Sequence, residues 1–172
     1  MKKDYSKIGK SVIDLEINAL RKLRKLIGRS FNEAVELLSK CKSKVILCGV
    51  GKSGLIAAKI SATLSSVGTS SFTISASNSS HGDLGSISKK DILIVLSYSG
   101  NTEELKNIIQ YANRYGIKLI GIMSKKNSLL YKNSNVKLLI PEVKESGYGI
   151  VPTSSTTTQL ALGDALAINL MY

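Results

Sequence analysis

The chain has 172 residues but no Trp, two Phe, two Pro, two Cys and one His. With so few aromatic side chains, the core of a folded domain must be filled by Ile, Leu, Val and Ala. We interpret Cys41 and Cys48 as reduced core thiols rather than as a disulfide or a metal pair, which indicates the cytoplasm. One histidine and two separated cysteines also argue against a zinc site, so we expect no metal.

Long hydrophobic runs are missing too. The N-terminal segment MKKDYSKIGK is basic, but no apolar segment follows it, so we expect no secretion signal. The most apolar segment, residues 159–172, is interrupted by Asp164 and is too short to cross a bilayer. These features predict one soluble domain that folds unaided and has no membrane partner.

Acidic residues are scarce, since 12 Asp and Glu stand against 24 Lys and Arg, for a formal net charge of +12. Residues 1–44 hold twelve basic and five acidic side chains, a net +7. Clustered basic residues are typical of nucleic-acid-binding surfaces. Most of them are Lys, however, and we favour a general drift of the composition toward Lys over a nucleic-acid partner. An anionic metabolite is compatible with either interpretation.

The segment VILCGVGKSG, at residues 45–54, joins an apolar run to a glycine turn. Its Val, Ile and Leu content predicts a strand buried on both faces, and apolar residues at a spacing of four predict a helix that begins near Lys52 or Ser53. Strand, glycine turn and helix form a phosphate-binding arrangement because the helix N-terminus exposes N–H groups. The spacing lacks the gap of a nucleotide P-loop, and no acidic residue follows the next apolar stretch. A small phosphate site is therefore favoured over a dinucleotide site.

Helical and strand-like patterns alternate along the rest of the chain. Helices are predicted at 5–27, after Ser30 with Glu33 in capping-box position, and at 52–67, 102–115 and 154–170; strands are predicted at the run that begins with Val45 and at 71–76, 92–97, 118–123 and 136–140. This order predicts an α/β fold, a three-layer α/β/α sandwich with a five-stranded parallel sheet, flavodoxin-like, with N-terminal helices in residues 1–43. The last helix is apolar nearly all round, which predicts burial in a subunit contact or under another segment.

Three polar loops follow predicted strands at the carboxyl edge of the sheet, where such sheets bind ligands. They are GVGKSG, SYSGNTEE and PEVKESGYGIVPTSST. In the second loop, Ser97, Ser99, Gly100 and Thr102 predict a second phosphate cradle. Ser and Thr also cap helices routinely, so one such loop would be weak support. Two of them at adjacent strand ends favour a site.

Four segments in this order and spacing, GVGKSG, SHGDLGSI, LSYSGNTEEL and VPTSSTTTQLALGDALAINL, resemble the sugar isomerase (SIS) domain. They are most similar to the D-arabinose 5-phosphate isomerases of Kdo and lipopolysaccharide synthesis, and the similarity covers essentially the whole chain. The resemblance implies a single SIS domain over 1–172, interconversion of D-ribulose 5-phosphate and D-arabinose 5-phosphate without a cofactor, and a homotetramer. Longer relatives continue with a further active-site histidine and paired CBS modules, so we expect a short form or a fragment.

The same resemblance gives roles to individual residues. Lys52, Glu104 and Glu145 match catalytic groups of the family, and His81 lies in its active-site loop. The predicted substrate and phosphate set comes from the two glycine turns and the third loop: Gly51, Ser53, Ser97, Ser99, Gly100, Thr102, Thr153, Ser154 and Ser155.

These residue types suit an aldose–ketose exchange through an enediol. The reaction needs a base that moves a proton between adjacent carbons and a donor that stabilises the oxyanion. Glu104 and Glu145 are the candidate bases, and we expect a dry pocket to raise the pKa of such a carboxyl. Lys52 could polarise the carbonyl or hold the phosphate. His81 could open the sugar ring, bridge subunits or only stabilise its loop, and Glu103 is predicted to be solvated.

Three classes of function stay open: the isomerase, a non-catalytic sugar-phosphate sensor with the same pocket, and a nucleic-acid binder with basic helices. Lys52, Glu104 and Glu145 favour the first because a sensor needs no proton-transfer groups. Another sugar phosphate is also compatible with the sequence, since a cradle fixes only the phosphate end. The apolar faces of the first and last helices predict the homo-oligomer.

Overall fold

The computed structural model describes residues 4–76 and 83–172. Its helices and strands follow one another in the order α1 (Tyr5–Leu26), α2 (Arg29–Ser39), β1 (Val45–Gly49), α3 (Lys52–Ser66), β2 (Ser71–Ser75), β3 (Ile92–Leu96), α4 (Lys106–Tyr115), β4 (Lys118–Met123), α5 (Leu129–Asn133), β5 (Val136–Leu139) and α6 (Ser154–Asn169). Short 3-10 turns lie at Asp83–Ser86, Glu103–Leu105 and Gly147–Gly149. No helix within the described ranges has the length and apolar character needed to cross a membrane.

The five strands form one sheet in the order β2-β1-β3-β4-β5, and all neighbouring pairs are parallel. Successive side chains of a strand point to opposite faces, so the sheet supports two cores. One core joins Leu47 and Ile94 to helices α1, α2, α3 and α6, and the other joins Ile46 and Val95 to helices α4 and α5. The predicted three-layer α/β/α sandwich is confirmed.

The central strands β1 and β3 are buried on both faces, as their continuous apolar runs predict. Cys48 lies within β1, is fully buried and forms no disulfide. Burial raises the pKa of its thiol to about 12. Cys41, after α2, is half-buried and also free, and its thiol contacts the carbonyl of Lys44 at 3.7 Å. Both cysteines are therefore free thiols packed at or in the core.

Local chemistry differs from the prediction at the start of α2. The helix begins at Arg29 with Gly28 as N-cap, so Ser30 is an internal helical residue and the predicted capping box is wrong. Glu33 instead accepts a hydrogen bond of 2.9 Å from the Nε of Arg29. Because Gly28 supplies no side chain, an exposed ion pair one turn apart takes the place that the capping box would have had.

Two further differences lie beyond β3 and β4. The helix predicted from Thr102 begins as the 3-10 turn Glu103–Leu105 and becomes α-helical only at Lys106. The short helix α5 has no counterpart in the prediction; its N-cap Ser128 accepts a hydrogen bond from the N–H of Tyr131 at 3.2 Å. A helix of five residues is too short to show a helical period in the sequence.

Helix α6 packs under both α1 and α3. A Cβ placed on Gly163 would lie 2.3 Å from side-chain atoms of Ile60, so glycine allows the two helices to approach closely. Asp164, on the next position, pairs with Lys59 of α3. The apolar surface of α6 is therefore largely covered within the chain, which is the second of the two predicted modes of burial.

Helix α1 extends beyond the body of the domain. Only Ala19 and Leu23 of its 22 residues are fully buried. Tyr5 and Ile8 lie on the same face of α1 as the two buried residues, but they are 77% and 52% exposed. The first turns of α1 therefore present apolar side chains that this chain alone does not cover.

Gly49 offers a test of how the first glycine turn is packed. A Cβ on this residue would lie 2.7 Å from the carbonyl carbon of Ser53, a backbone atom that cannot move without displacing α3. We expect Gly49→Ala to lower the free energy of unfolding by roughly 1–3 kcal/mol, as for other overpacked sites. Gly9→Ala in α1 is the matched control, since nothing lies within 4 Å of the added methyl group. It should stabilise the chain by roughly 0.5–1 kcal/mol. Urea unfolding measures both, and equal stability of the two variants would contradict the packing.

Candidate active site

The carboxyl ends of β1 and β3 lie side by side. Gly49 at the end of β1 is the register partner of Leu96 at the end of β3. The two turns that follow, GVGKSG and SYSGNT, therefore leave the sheet at neighbouring positions on one edge. The predicted pair of phosphate turns is brought together by strand pairing alone.

The first turn joins β1 closely to α3. Gly51 has a φ of +56°, which favours glycine, and Gly54 lies so close to β1 that a Cβ there would be 2.9 Å from the carbonyl oxygen of Gly49. Gly51, the N-cap of this 15-residue helix, has no side chain that could cap it, so within the described residues the first N–H groups of α3 are open to an anion. Lys52 is exposed and Ser53 is half-buried. This turn has the features of a phosphate-binding helix N-terminus.

The second turn is held by its own hydroxyl groups. The Oγ of Ser97 accepts a hydrogen bond from the N–H of Gly100 at 3.0 Å and lies 2.8 Å from the Oγ1 of Thr102. Ser97 is only 3% exposed, so its hydroxyl shapes the turn from beneath. The Oγ of Ser99 accepts a hydrogen bond from the N–H of Asn101 at 3.2 Å but is itself exposed. Ser99 is therefore the serine of this turn that is open to a ligand.

Gly100 allows the second turn to lie against the start of α5. Its φ is +68°, and a Cβ there would lie 2.2 Å from the Oγ of Ser128. Its carbonyl accepts a hydrogen bond from the N–H of Leu130 at 3.0 Å, and the side chain of Asn101 accepts one from the N–H of Leu129 at 2.8 Å. Glycine is required here both for the backbone conformation and for the close approach.

Tyr98 connects the second turn to the rest of the edge, and sequence reasoning missed it. Its carbonyl accepts hydrogen bonds from the N–H and the hydroxyl of Ser124, after β4, at 3.0 and 2.8 Å. Its phenol oxygen accepts one from the N–H of Val143 at 2.9 Å and contacts the carbonyl of the same residue at 3.4 Å. One feature of the sequence could have indicated this role: a large amphipathic side chain stands between two serines in a polar loop.

Glu145, in the third loop, is bound to the N-terminus of α6. One of its carboxylate oxygens accepts hydrogen bonds from the N–H of Thr153 at 2.8 Å, the hydroxyl of Thr153 at 3.2 Å and the N–H of Ser155 at 3.3 Å. A carboxylate at this position is favoured by the positive end of the helix dipole. The third loop is thereby folded back on the helix that follows it.

This geometry corrects the expected proton affinity of Glu145. Burial alone would raise the pKa of its carboxyl, but hydrogen bonds from the side chain and N–H of Ser155 and from Thr153 outweigh burial. The pKa of Glu145 is therefore lowered from its ordinary value, not raised as predicted. Charge-stabilising N–H donors at a helix end act on the carboxylate form, and such contacts cannot be read from the sequence.

The same contacts involve the predicted substrate-binding residues of the third loop. Thr153 and Ser155 already donate to Glu145, and Ser154 is fully buried. In this structure the anion at the N-terminus of α6 is a carboxylate of the chain itself. Substrate binding by these three residues remains a prediction, and it would require a phosphate to displace or adjoin Glu145.

The other predicted groups differ in their surroundings. Glu104 is exposed in the 3-10 turn after Thr102, and no hydrogen bond or ion pair links it to another residue within 4–76 or 83–172. Glu103 is exposed and pairs with Lys106 at 3.4 Å, which confirms that it is solvated. His81 lies outside the described residues. Lys52 and Glu104 thus follow two adjacent strands at the same edge of the sheet.

A basic groove runs beside this edge, between α1 and the segment after β5. It has a volume of about 360 Å³ and is lined by Arg21, Lys22 and Lys25 of α1 and by Val143 and Lys144. One of its cations, Lys144, stands in sequence between Val143, whose N–H donates to Tyr98, and Glu145. Local positive potential of this kind raises the concentration of anionic ligands near a site. In the part of the chain that the structure describes, no group of three or more His, Cys, Asp or Glu side chains is placed to hold a metal ion.

The fold and the paired glycine turns define an α/β domain of the sugar-isomerase class. The family model described as "SIS domain" matches residues 37–169. The chain belongs to the SIS domain family.

Relatives and a solved structure agree with this assignment. The chain is 44% identical over 163 residues to an uncharacterised protein of Rickettsia prowazekii, covering 95% of this chain and 51% of that protein. It is 38% identical over 169 residues to a probable arabinose 5-phosphate isomerase of Haemophilus influenzae, covering 98% and 50%. A structure of an Escherichia coli CFT073 protein in complex with arabinose 5-phosphate superposes with a TM-score of 0.86 at 32% identity, covering 99% of this chain and 92% of that one. The chain spans about half the length of the curated relatives it matches.

The lowered pKa of Glu145 predicts a defined pH dependence of stability. A carboxyl whose pKa is lower in the folded state than in the unfolded state stabilises the fold above the ordinary value of 4.5, and this stabilisation is lost as the pH falls through the folded pKa. We expect Glu145→Gln to have a lower melting temperature than the unaltered chain at neutral pH and the same one in strong acid. Glu103→Gln, which changes an exposed carboxylate, should follow the unaltered chain throughout. A difference for Glu145→Gln that is constant with pH would contradict the assignment.

Proposed function

We propose that this chain is an aldose–ketose isomerase of sugar phosphates, and that it interconverts D-ribulose 5-phosphate and D-arabinose 5-phosphate through an enediol. The relatives named as arabinose 5-phosphate isomerases support this substrate, and so does the structural neighbour in complex with arabinose 5-phosphate. We further propose a cytoplasmic role in Kdo and lipopolysaccharide synthesis, the pathway that the resemblance implies. No cofactor is needed for the reaction, because a proton moves between two carbons of one substrate.

One observation carries the proposal. The uncapped N-terminus of α3, with Gly51, Lys52 and Ser53, stands beside the turn of Ser99 and Thr102 because Gly49 and Leu96 are register partners. Two sets of N–H groups and hydroxyls at one edge suit a phosphate dianion. We propose that these turns bind the substrate phosphate and that Lys52 polarises the carbonyl or contacts the phosphate.

The two carboxylates suit different tasks. A general base works best when its pKa lies near the working pH. Glu145, held by Thr153 and Ser155, has a lowered pKa and is a weak base in this arrangement. Glu104 is exposed and carries no such contacts from the described residues. We propose Glu104 as the group that moves the proton, and Glu145 as a carboxylate that must leave α6 before it can take part. His81 is proposed to assist ring opening.

A sugar-phosphate sensor is the second candidate, and one observation favours it. Glu145 is engaged by the helix that follows it, so one of the two expected proton carriers is bound within the chain. A sensor would need the phosphate turns but neither carboxylate. Isomerisation of a different sugar phosphate is a third possibility, because the turns fix only the phosphate end.

We also propose a homo-oligomer, most simply the tetramer implied by the family. Tyr5 and Ile8 extend an apolar surface past the domain body, where a second copy of α1 would cover them. The contribution of α6 is smaller than the sequence indicates, since α1 and α3 already cover most of it.

Replacement of Glu104 tests the reaction. With a panel of pentose and hexose phosphates in deuterated water, the unaltered chain should convert D-ribulose 5-phosphate and place deuterium on the second carbon of the aldose product, D-arabinose 5-phosphate. Glu104→Gln should lose about a hundredfold to ten-thousandfold in kcat, with little change in binding. Glu145→Gln should lose less, and Glu103→Gln, a neighbour of the same chemistry, should retain full activity.

The outcomes separate the candidates. Binding of the sugar phosphate without any deuterium exchange would contradict an isomerase and support the sensor. Exchange with another sugar phosphate alone would contradict the proposed substrate. Full activity of Glu104→Gln would show that the proton is carried elsewhere.

Light scattering tests the oligomer. We expect a mass several times the 18.5 kDa of one chain for the unaltered protein. Ile8→Glu should lower that mass because it places a charge in the apolar contact. Lys7→Glu is the matched control on the neighbouring, exposed position and should keep the mass. A monomeric unaltered chain at micromolar concentration would refute the proposal.

A further inference from the structure

Gln159 is a buried amide without a partner. Its side chain is 1% exposed, and neither its Oε1 nor its Nε2 forms a hydrogen bond to the described residues. Two buried hydroxyls share this property, those of Ser146 and Ser154. In the part of the chain that the structure describes, all buried side-chain polar atoms without partners belong to these three residues.

The three residues surround the contact between Glu145 and α6. Ser146 follows Glu145 directly, and Ser154 stands between the two residues that donate to its carboxylate. Gln159 lies one turn after Ser155 on the same face of α6. Side chains at this spacing are neighbours, with Cβ atoms about 5–6 Å apart. The unpaired amide and the hydroxyl of Ser155 therefore belong to neighbouring positions on one face of α6.

An apolar side chain would satisfy packing at this position better. Gly163, one turn further along α6, lies against Ile60, and Leu162 and Leu166 of the same helix belong to the core. A polar group buried without a partner destabilises a fold, and native proteins keep few of them. Local violations of this kind concentrate at functional sites.

We propose that Gln159 is a positioning residue for Glu145, whose amide oxygen accepts the hydroxyl of Ser155 when the carboxylate leaves the N-terminus of α6. In the present arrangement Ser155 donates to Glu145 through both its side chain and its N–H. When Glu145 turns toward a substrate, the hydroxyl of Ser155 loses its acceptor. Gln159 then supplies a replacement one turn away, so the released state is not left with a second unpaired group.

This inference rests on the proposed participation of Glu145 in the reaction. It predicts that the unpaired amide of Gln159 lowers the stability of the fold while Glu145 is bound to α6, and that it helps turnover when Glu145 has turned toward the substrate. The two effects have opposite signs on stability and on turnover, which a purely structural role would not produce.

Gln159→Met is the main variant because methionine is similar in length and shape but has no amide. We expect its melting temperature to rise, since an unpaired polar group is removed, and its kcat for D-arabinose 5-phosphate to fall about tenfold with an unchanged KM. The side-chain carboxyl signal of Glu145 in NMR should titrate at a lower pH in this variant. The reason is that the hydroxyl of Ser155 then has no alternative to the carboxylate.

Thr158→Val is the matched control. Thr158 is equally buried on the same turn of α6, but its hydroxyl is paired with the carbonyl of Ser155 at 2.8 Å. We expect this variant to lose stability and to keep both kcat and the titration of Glu145. Gln159→Leu serves as a second apolar variant if Gln159→Met does not fold, with the same expectations.

The results decide between the alternatives. A Gln159→Met chain that is more stable but has an unchanged kcat and an unchanged titration of Glu145 would refute the proposal. A less stable Gln159→Met chain would also refute it, because lost stability would show that the amide of Gln159 has a partner. If the unaltered chain catalyses no isomerisation, the proposed function fails. The melting temperature and the NMR titration still test Gln159 in that case.

Discussion

The pairing of β1 with β3 is the contact on which the site depends. Both strands are buried on both faces, so a slip in their register would move every apolar side chain between the two cores. The register therefore fixes Gly49 opposite Leu96 and places the two turns side by side. Hydrogen bonds to the carbonyl and the phenol oxygen of Tyr98 then connect the second turn to the residue after β4 and to the segment after β5. The positions of three loops thus derive from one buried pair of strands.

The three loops are not equivalent in their electrostatics. The turn at Gly51 leaves the N-terminus of α3 without a cap, whereas the N-terminus of α6 is occupied by Glu145. One helix end is open to an external anion, and the other is neutralised by an internal one. The two carboxylates of the site therefore differ. No described residue forms a hydrogen bond or an ion pair with Glu104, whereas Glu145 is stabilised in its charged form.

Much of this arrangement could be predicted from the sequence, for reasons that are local. Continuous apolar runs identified β1 and β3, helical spacing identified α3 and α4, and Gly, Ser and Thr residues identified the two turns that leave β1 and β3. The capping box at Ser30 was wrong because α2 begins earlier, at Arg29 with Gly28 as its N-cap, and α5 was too short to give a periodic signal. The lowered pKa of Glu145 depends on N–H groups eight and ten residues away, which no local pattern reveals.

The two free thiols of the chain differ in a way that gives it a built-in chemical reporter. In alkylation the thiolate is the nucleophile that attacks the reagent, and the pKa of about 12 leaves the Cys48 thiol almost entirely protonated as well as inaccessible. Cys41 is half-buried and lies outside the strands of the sheet. The Cys48 side chain packs in the core between the sheet and helices α4 and α5, so its alkylation requires this core to open beneath the strands that carry the two glycine turns. The rate of Cys48 alkylation therefore measures how often the core on this face of the sheet opens.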